Sequence, residues 1–213
     1  MMKKNTYFLD DFMGVVGFIS SSMSTYEVEN RSFIESGEGE WSQVLFSKNF
    51  LRSNGWVVFP LWEGDVRRLK KEDGSVIDFL ARVCSFSKER GDRFLNVAMF
   101  EKTEWKYSKN FSALTMATRK FNLADENPGV LFEVSEGNLP YWGGGIIWPS
   151  SKKFMIYFDG DNVSAIAGQR EDVEGLLGAS YAYCKARFVE MNRAHQTTSN
   201  LIQAYVEFCD EFQ

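Results

Sequence analysis

The sequence predicts an α+β fold. The expectation is a single domain over residues 1–213 with a mainly antiparallel twisted sheet, a short helix in the N-terminal half and a C-terminal helical pair. Three observations carry it. Short apolar runs separated by turn residues dominate the middle of the chain, some with the period-2 alternation of half-buried strands. Apolar spacing of three and four residues appears over 41–51 and again beyond Asp172. Strands and helices do not alternate along the chain, which argues against a doubly wound parallel sheet. At 213 residues, 44% hydrophobic and 15% aromatic, the chain has the length of an ordinary domain and enough apolar surface to build a core.

In chain order, Tyr7–Ile19 and Tyr26–Ile34 read as extended segments on either side of the serine-rich stretch Ser20–Ser24. Gly37-Glu38-Gly39 interrupts the chain. Trp41, Val44, Leu45, Lys48 and Leu51 then fall at helical spacing, and Asn54-Gly55 has the chemistry of a left-handed helix stop. Trp56–Phe59 is a compact strand signal stopped by Pro60. Val76–Phe86 and Arg93–Phe100 flank the polar turn Lys88–Asp92 and are expected to pair as a hairpin. Phe111–Phe121 fits either a strand or a helix. Val130–Val134, Gly145–Trp148, Phe154–Phe158 and Val163–Ala167 read as further strands, the last two joined by Asp159-Gly160-Asp161-Asn162, strong hairpin-turn chemistry.

At the C-terminus, Leu177, Tyr181, Cys184, Phe188, Met191 and His195 form one apolar stripe on a helix starting after Glu171-Asp172, two acids suited to a helix N-terminus. A last helix begins near Thr198 or Ser199. Leu201, Tyr205, Phe208 and Phe212 adjoin Ile202, Val206 and Cys209 on it, an apolar face broad enough to pack between two surfaces.

The formal charge is −5, opposite in sign to that of most nucleic-acid binders, so no nucleic-acid partner is expected. The charge is uneven: residues 1–47 carry 3 bases and 7 acids, 48–120 carry 15 and 9, and 121–213 carry 6 and 13. A basic patch opposite an acidic one would follow if those segments separate in space; interleaving would mix them. The basic cluster Arg67–Lys71 is flanked by Glu63, Asp65, Glu72 and Asp73 and reads as a solvated hairpin tip. Cys84, Cys184 and Cys209 are few, odd in number and widely spaced, which suits a reducing compartment, and no membrane partner is expected because Met13–Ile19 is far too short to span a bilayer. The expected location is cytoplasmic.

The sequence selects no catalytic residue. His195 is the sole histidine, and on one straight helix it stands roughly 16 Å from Cys184 at about 1.5 Å rise per residue. No G-x-S-x-G elbow, Walker A loop or dinucleotide fingerprint occurs. No metal site is expected: the Cys and His residues are scattered, and the acidic turn at Asp159 and Asp161 has Arg170 where a calcium loop needs its final glutamate. No cofactor is expected either.

The most unusual stretch is Asn138–Pro149, where Tyr141, Trp142 and Trp148 surround Gly143-Gly144-Gly145. Glycines there would let a ligand or partner backbone approach closely while the rings supply binding area; the alternative is a glycine-rich turn whose rings pack back on the sheet. Three functions follow as expectations. The first is an intracellular protein-binding module, most concretely an immunity protein neutralising a cognate bacterial toxin, with a basic toxin matching the acidic chain. Tyr141, Trp142 and Trp148 would then be anchors and Asp159 and Asp161 rim charges. The second is a small-ligand or carbohydrate-binding domain using the same aromatic-glycine segment. The third is a metal-independent hydrolase with two carboxylates in a cleft.

Overall fold

The computed structural model describes residues 23–27, 42–101, 116–124, 142–158, 163–195 and 199–213. Strand β1 (Met23–Glu27) pairs antiparallel with β2 (Ser42–Phe46), and helix α1 (Lys48–Asn54) follows. The helix starts one residue after Ser47, whose hydroxyl accepts from the Phe50 N–H at 3.4 Å. The helical spacing over 41–51 is therefore split, with strand before the cap and helix after it. The stop is the expected one: Gly55 takes φ 62° and donates its N–H to Arg52 and Leu51 carbonyls.

Next come β3 (Val57–Trp62), a 3₁₀ turn (Glu63–Val66), the hairpin of β4 (Arg68–Lys70) and β5 (Val76–Asp78), and helix α2 (Phe79–Glu89). Helix α2 overturns the hairpin expected between Val76–Phe86 and Arg93–Phe100. Asp78 caps it, accepting from the Ala81 N–H at 2.8 Å, and its buried residues Phe79, Leu80, Val83, Cys84, Phe86 and Ser87 recur with helical period. Strand β3 runs on through Pro60, which sits opposite Ala165. An edge strand tolerates a residue without an N–H.

The remaining elements are β6 (Phe94–Glu101), β7 (Met116–Asn122), β8 (Trp142–Pro149), β9 (Phe154–Phe158), β10 (Val163–Gly168), α3 (Arg170–Leu177), α4 (Tyr181–Ala194) and α5 (Ser199–Asp210). Six strands form one antiparallel sheet in the order β3-β10-β9-β8-β6-β7. The expected segments Tyr7–Ile19 and Val130–Val134 lie outside the described residues. The stripe from Leu177 to His195 spans two helices: Gly178 (φ 60°) ends α3, and Ser180 caps α4 by accepting from the Tyr183 N–H at 3.3 Å.

Both faces of the sheet are buried, and the strand pattern explains how. In β9, Phe154, Ile156 and Phe158 face one layer while Met155 and Tyr157 face the other, so all five residues are buried. On one face Val57, Phe59, Leu61, Val97, Ile147 and Ile166 meet Leu80 and Val83 of α2 and Val173 and Leu176 of α3. On the other, the small Ala98, Ala165 and Ala167 make room for Phe188 of α4 and Tyr205, Phe208 and Phe212 at α5. Phe188 stacks on Tyr205 with ring centroids 5.4 Å apart. The broad face of α5 is thus core: Ile202, Tyr205, Val206, Phe208 and Cys209 all lie within that cluster.

Candidate functional site

The aromatic-glycine segment belongs to a strand. Gly144 and Gly145 sit opposite Phe100 and Met99 within β8, and the register shifts between Phe100 and Glu101, where Trp142 opens the strand. Glycines beside such an irregularity fit a bulged strand more than a ligand loop. Trp148 is only 1% exposed and packs in the α5-side core, which corrects its expected role as a surface anchor. The reason is strand alternation: Ile147 faces the α2 layer, so Trp148 must face the α5 layer. Tyr141, Asp159 and Asp161 lie outside the described residues. Of the five expected residues, the structure places only the Trp148 ring, and it places it in the core.

The thiols sit inside the protein. Burial pushes Cys84 up to about 11 and Cys184 up to about 12, and it raises Cys209 as well. His195 lies at the end of α4, exposed, and stacks on Trp62 with centroids 5.3 Å apart. Among the described residues no three His, Cys, Asp or Glu side chains cluster as a metal site.

Two clusters of polar side chains stand out among the described residues. The first lies beside β3. Asp65, 3% exposed in the 3₁₀ turn, receives bonds from Arg187 Nε at 2.9 Å and Nη2 at 2.7 Å. Burial pushes the Asp65 carboxyl up from its ordinary value, with the Arg187 bonds and charge working against that rise. The Arg187 guanidinium lies 5.8 Å from the Trp62 ring, and Trp62 folds over Gly64 so closely that a Cβ there would collide with the ring. Nearby, Glu72 accepts from the Ser180 N–H at 3.0 Å, tying the β4–β5 hairpin to the start of α4. Each acid is occupied by a bond that docks one element on another.

The second lies at the end of the sheet where the α2–β6 turn meets the β8–β9 turn. Asp92, itself buried, links them: Ser150 Oγ donates to its Oδ1 at 2.8 Å, the Ser151 N–H at 2.6 Å, and Ser151 Oγ to Oδ2 at 3.2 Å. The Arg93 N–H donates to Ser150 Oγ at 3.2 Å, and the Ser150 N–H to the Phe94 carbonyl at 3.0 Å. Beside this junction is a shallow recess of about 740 Å³ lined by Lys88, Asp92, Arg93, Phe94, Lys120 and Leu123 among others. Lys120 Nζ stands 4.3 Å above the Phe94 ring. Lys152 and Lys153 extend the basic character along the β8–β9 turn, and Lys152 takes φ 55°, a left-handed conformation usually left to glycine or asparagine. In the sequence, Lys88–Asp92 is only a polar turn. Nothing in it shows that residues some 60 positions further on complete the same surface.

The charges at the two places differ in kind. Lys88, Arg93 and Lys153 have no acidic partner among the described residues, whereas Asp65, Asp210 and Glu211 each hold a cation. Chemically, the basic end can hold anionic groups; the β3 side can hold the fold together. Comparison with protein-family models, with curated proteins and with solved structures finds no match to this chain.

Proposed function

We propose that this chain is a protein-binding module, with a cytoplasmic inhibitor that neutralises a cognate toxin as its most concrete form. The observation that supports this reading is the local accumulation of cations at one end of an otherwise acidic protein. Like charges held together on a folded surface repel one another, and a complementary partner relieves that repulsion. The net charge of −5 favours long-range encounter with a basic protein, while the basic end sets the local chemistry of contact. Both sheet faces are filled by the protein's own side chains, so contact surfaces are provided by turns and helix exteriors. Three buried, free thiols suit a reducing compartment.

Affinity capture of the tagged full chain from its native source, followed by mass spectrometry, tests the reading. One stoichiometric protein, released as salt is raised, is the expected result. A bait that returns alone sinks it, and thermal-shift screening of sugars would then take up the ligand-binding alternative.

A further inference from the structure

We infer that the basic end of the sheet is the docking site for an acidic, carboxylate-bearing segment of a protein partner. This rests on the protein-binding reading and adds the site and the chemistry it selects. Lys88 at the end of α2, Arg93 in the turn that follows and Lys120 on β7 line one recess, and Lys153 lies in the β8–β9 turn at the same end of the sheet. The bonds from Ser150 and Ser151 to Asp92 hold the two turns in a fixed relation, so the cations are presented on a rigid base. A preorganised site of this kind spends little entropy on ordering when a ligand arrives.

The distribution of charge selects the ligand. Asp92 also lines the recess, so a compact dianion at its base would meet a carboxylate. Cations on the rim suit a ligand whose negative charges are spread along a chain. The half-buried Phe94 ring adds apolar surface on which the stems of glutamate or aspartate side chains can rest. Asp125 and Glu126 follow Ala124 in the sequence and lie outside the described residues. The cations that define the site are therefore those of the two turns.

The test uses the full chain and a fluorescein-labelled oligoglutamate peptide, read by anisotropy. The expected result is saturable binding that weakens with salt and falls about tenfold or more, the equivalent of 1.4 kcal/mol, in an Arg93→Glu/Lys153→Glu variant. Arg68→Glu, on the exposed β4 strand outside the recess, is expected to bind like the parent. A milder Lys88→Gln/Arg93→Gln variant, checked for an unchanged thermal melt, replaces the reversal should that one fail to fold. Equal binding by parent and variants overturns the site, as does a lack of peptide binding by the parent. Tighter binding of pyrophosphate or single-stranded RNA than of the peptide overturns the carboxylate assignment. Affinity capture separates the two levels: a folded variant bait that still returns the parent's partner sinks the docking site and leaves the protein-binding reading intact, and a parent bait that returns nothing sinks that reading whatever the peptide does.

Discussion

The β3 side of the sheet and its basic end use the same residue types to opposite effect. Beside β3, charges are matched. Asp65 is gripped by Arg187, Asp210 by Lys185 and by the Tyr181 hydroxyl, and Glu211 by Lys48 and Arg52. The outer edge of β3 is also engaged, with the Val58 N–H donating to the Phe212 carbonyl at 3.2 Å and the Gln213 side chain to the Val58 carbonyl at 2.6 Å. That pairing leaves less of the strand open to a further strand. At the other end the buried Asp92 is satisfied by serines and a backbone N–H, the buried Asp172 meets Arg90 of the α2–β6 turn at 3.2 Å, and Lys88, Arg93 and Lys153 have no acid among the described residues. Matched charges dock helices on the sheet; the unmatched ones are those on which the proposed docking of an acidic segment rests.

Substitutions test the contrast, beginning with the centre that both ends share. Trp148→Ala is expected to remove about 4 kcal/mol in urea unfolding, since it empties a large core site. A loss below about 1 kcal/mol would mean that the ring is not in the core. Asp65→Ala comes next, with a loss of about 3 kcal/mol, because Arg187 is left largely buried with neither acceptor nor counter-charge. Replacing both partners by apolar residues of similar volume should recover much of that loss; a double variant as unstable as the single one would assign the effect to shape.

Acid comes third in size. The Asp210 carboxyl is lowered on balance: its partial burial acts upward but is outweighed by the bonds from Lys185 and Tyr181. Glu211 is lowered chiefly by Lys48. Carboxyls held below their ordinary values contribute stability above pH about 4 that is lost as pH falls through the folded-state values. Asp65, raised by burial, has the opposite sign: its contribution is present below the ordinary carboxyl value and is lost as pH rises through the folded one. The exposed α5 pairs should therefore give a loss of under about 1 kcal/mol between pH 5 and 3, abolished in an Asp210→Asn/Glu211→Gln variant. The smallest effect belongs to the basic end, where Arg93→Gln should change stability by less than about 0.5 kcal/mol. A larger loss there would make Arg93 a structural residue and erase the distinction between the two ends.

Elements whose signals are local are legible in the residues themselves. Phe154–Phe158 and Val163–Ala167 read as paired strands because apolar runs flank a turn-forming tetrapeptide, and Gly55 reads as a helix stop because few other residues accept its backbone angles. Helix α2 is hidden because Phe79, Leu80, Val83 and Cys84 also fit a continuous buried strand, and only the Asp78 cap separates the two readings. The break at Gly178 is hidden because Leu177 and Tyr181 keep helical spacing across it.

By itself, then, the sequence determined the α+β class, most strand positions in the second half and the absence of any familiar catalytic motif. These follow from side-chain period and turn chemistry, which act over a few residues. Tertiary structure alone decided that Trp148 faces inward, that Arg187 reaches Asp65 and that Lys88, Arg93 and Lys120 line one recess. Each of those outcomes depends on which strand lies beside which. That order is set by the burial of two opposite faces at once, a property of the assembled sheet and of no single segment.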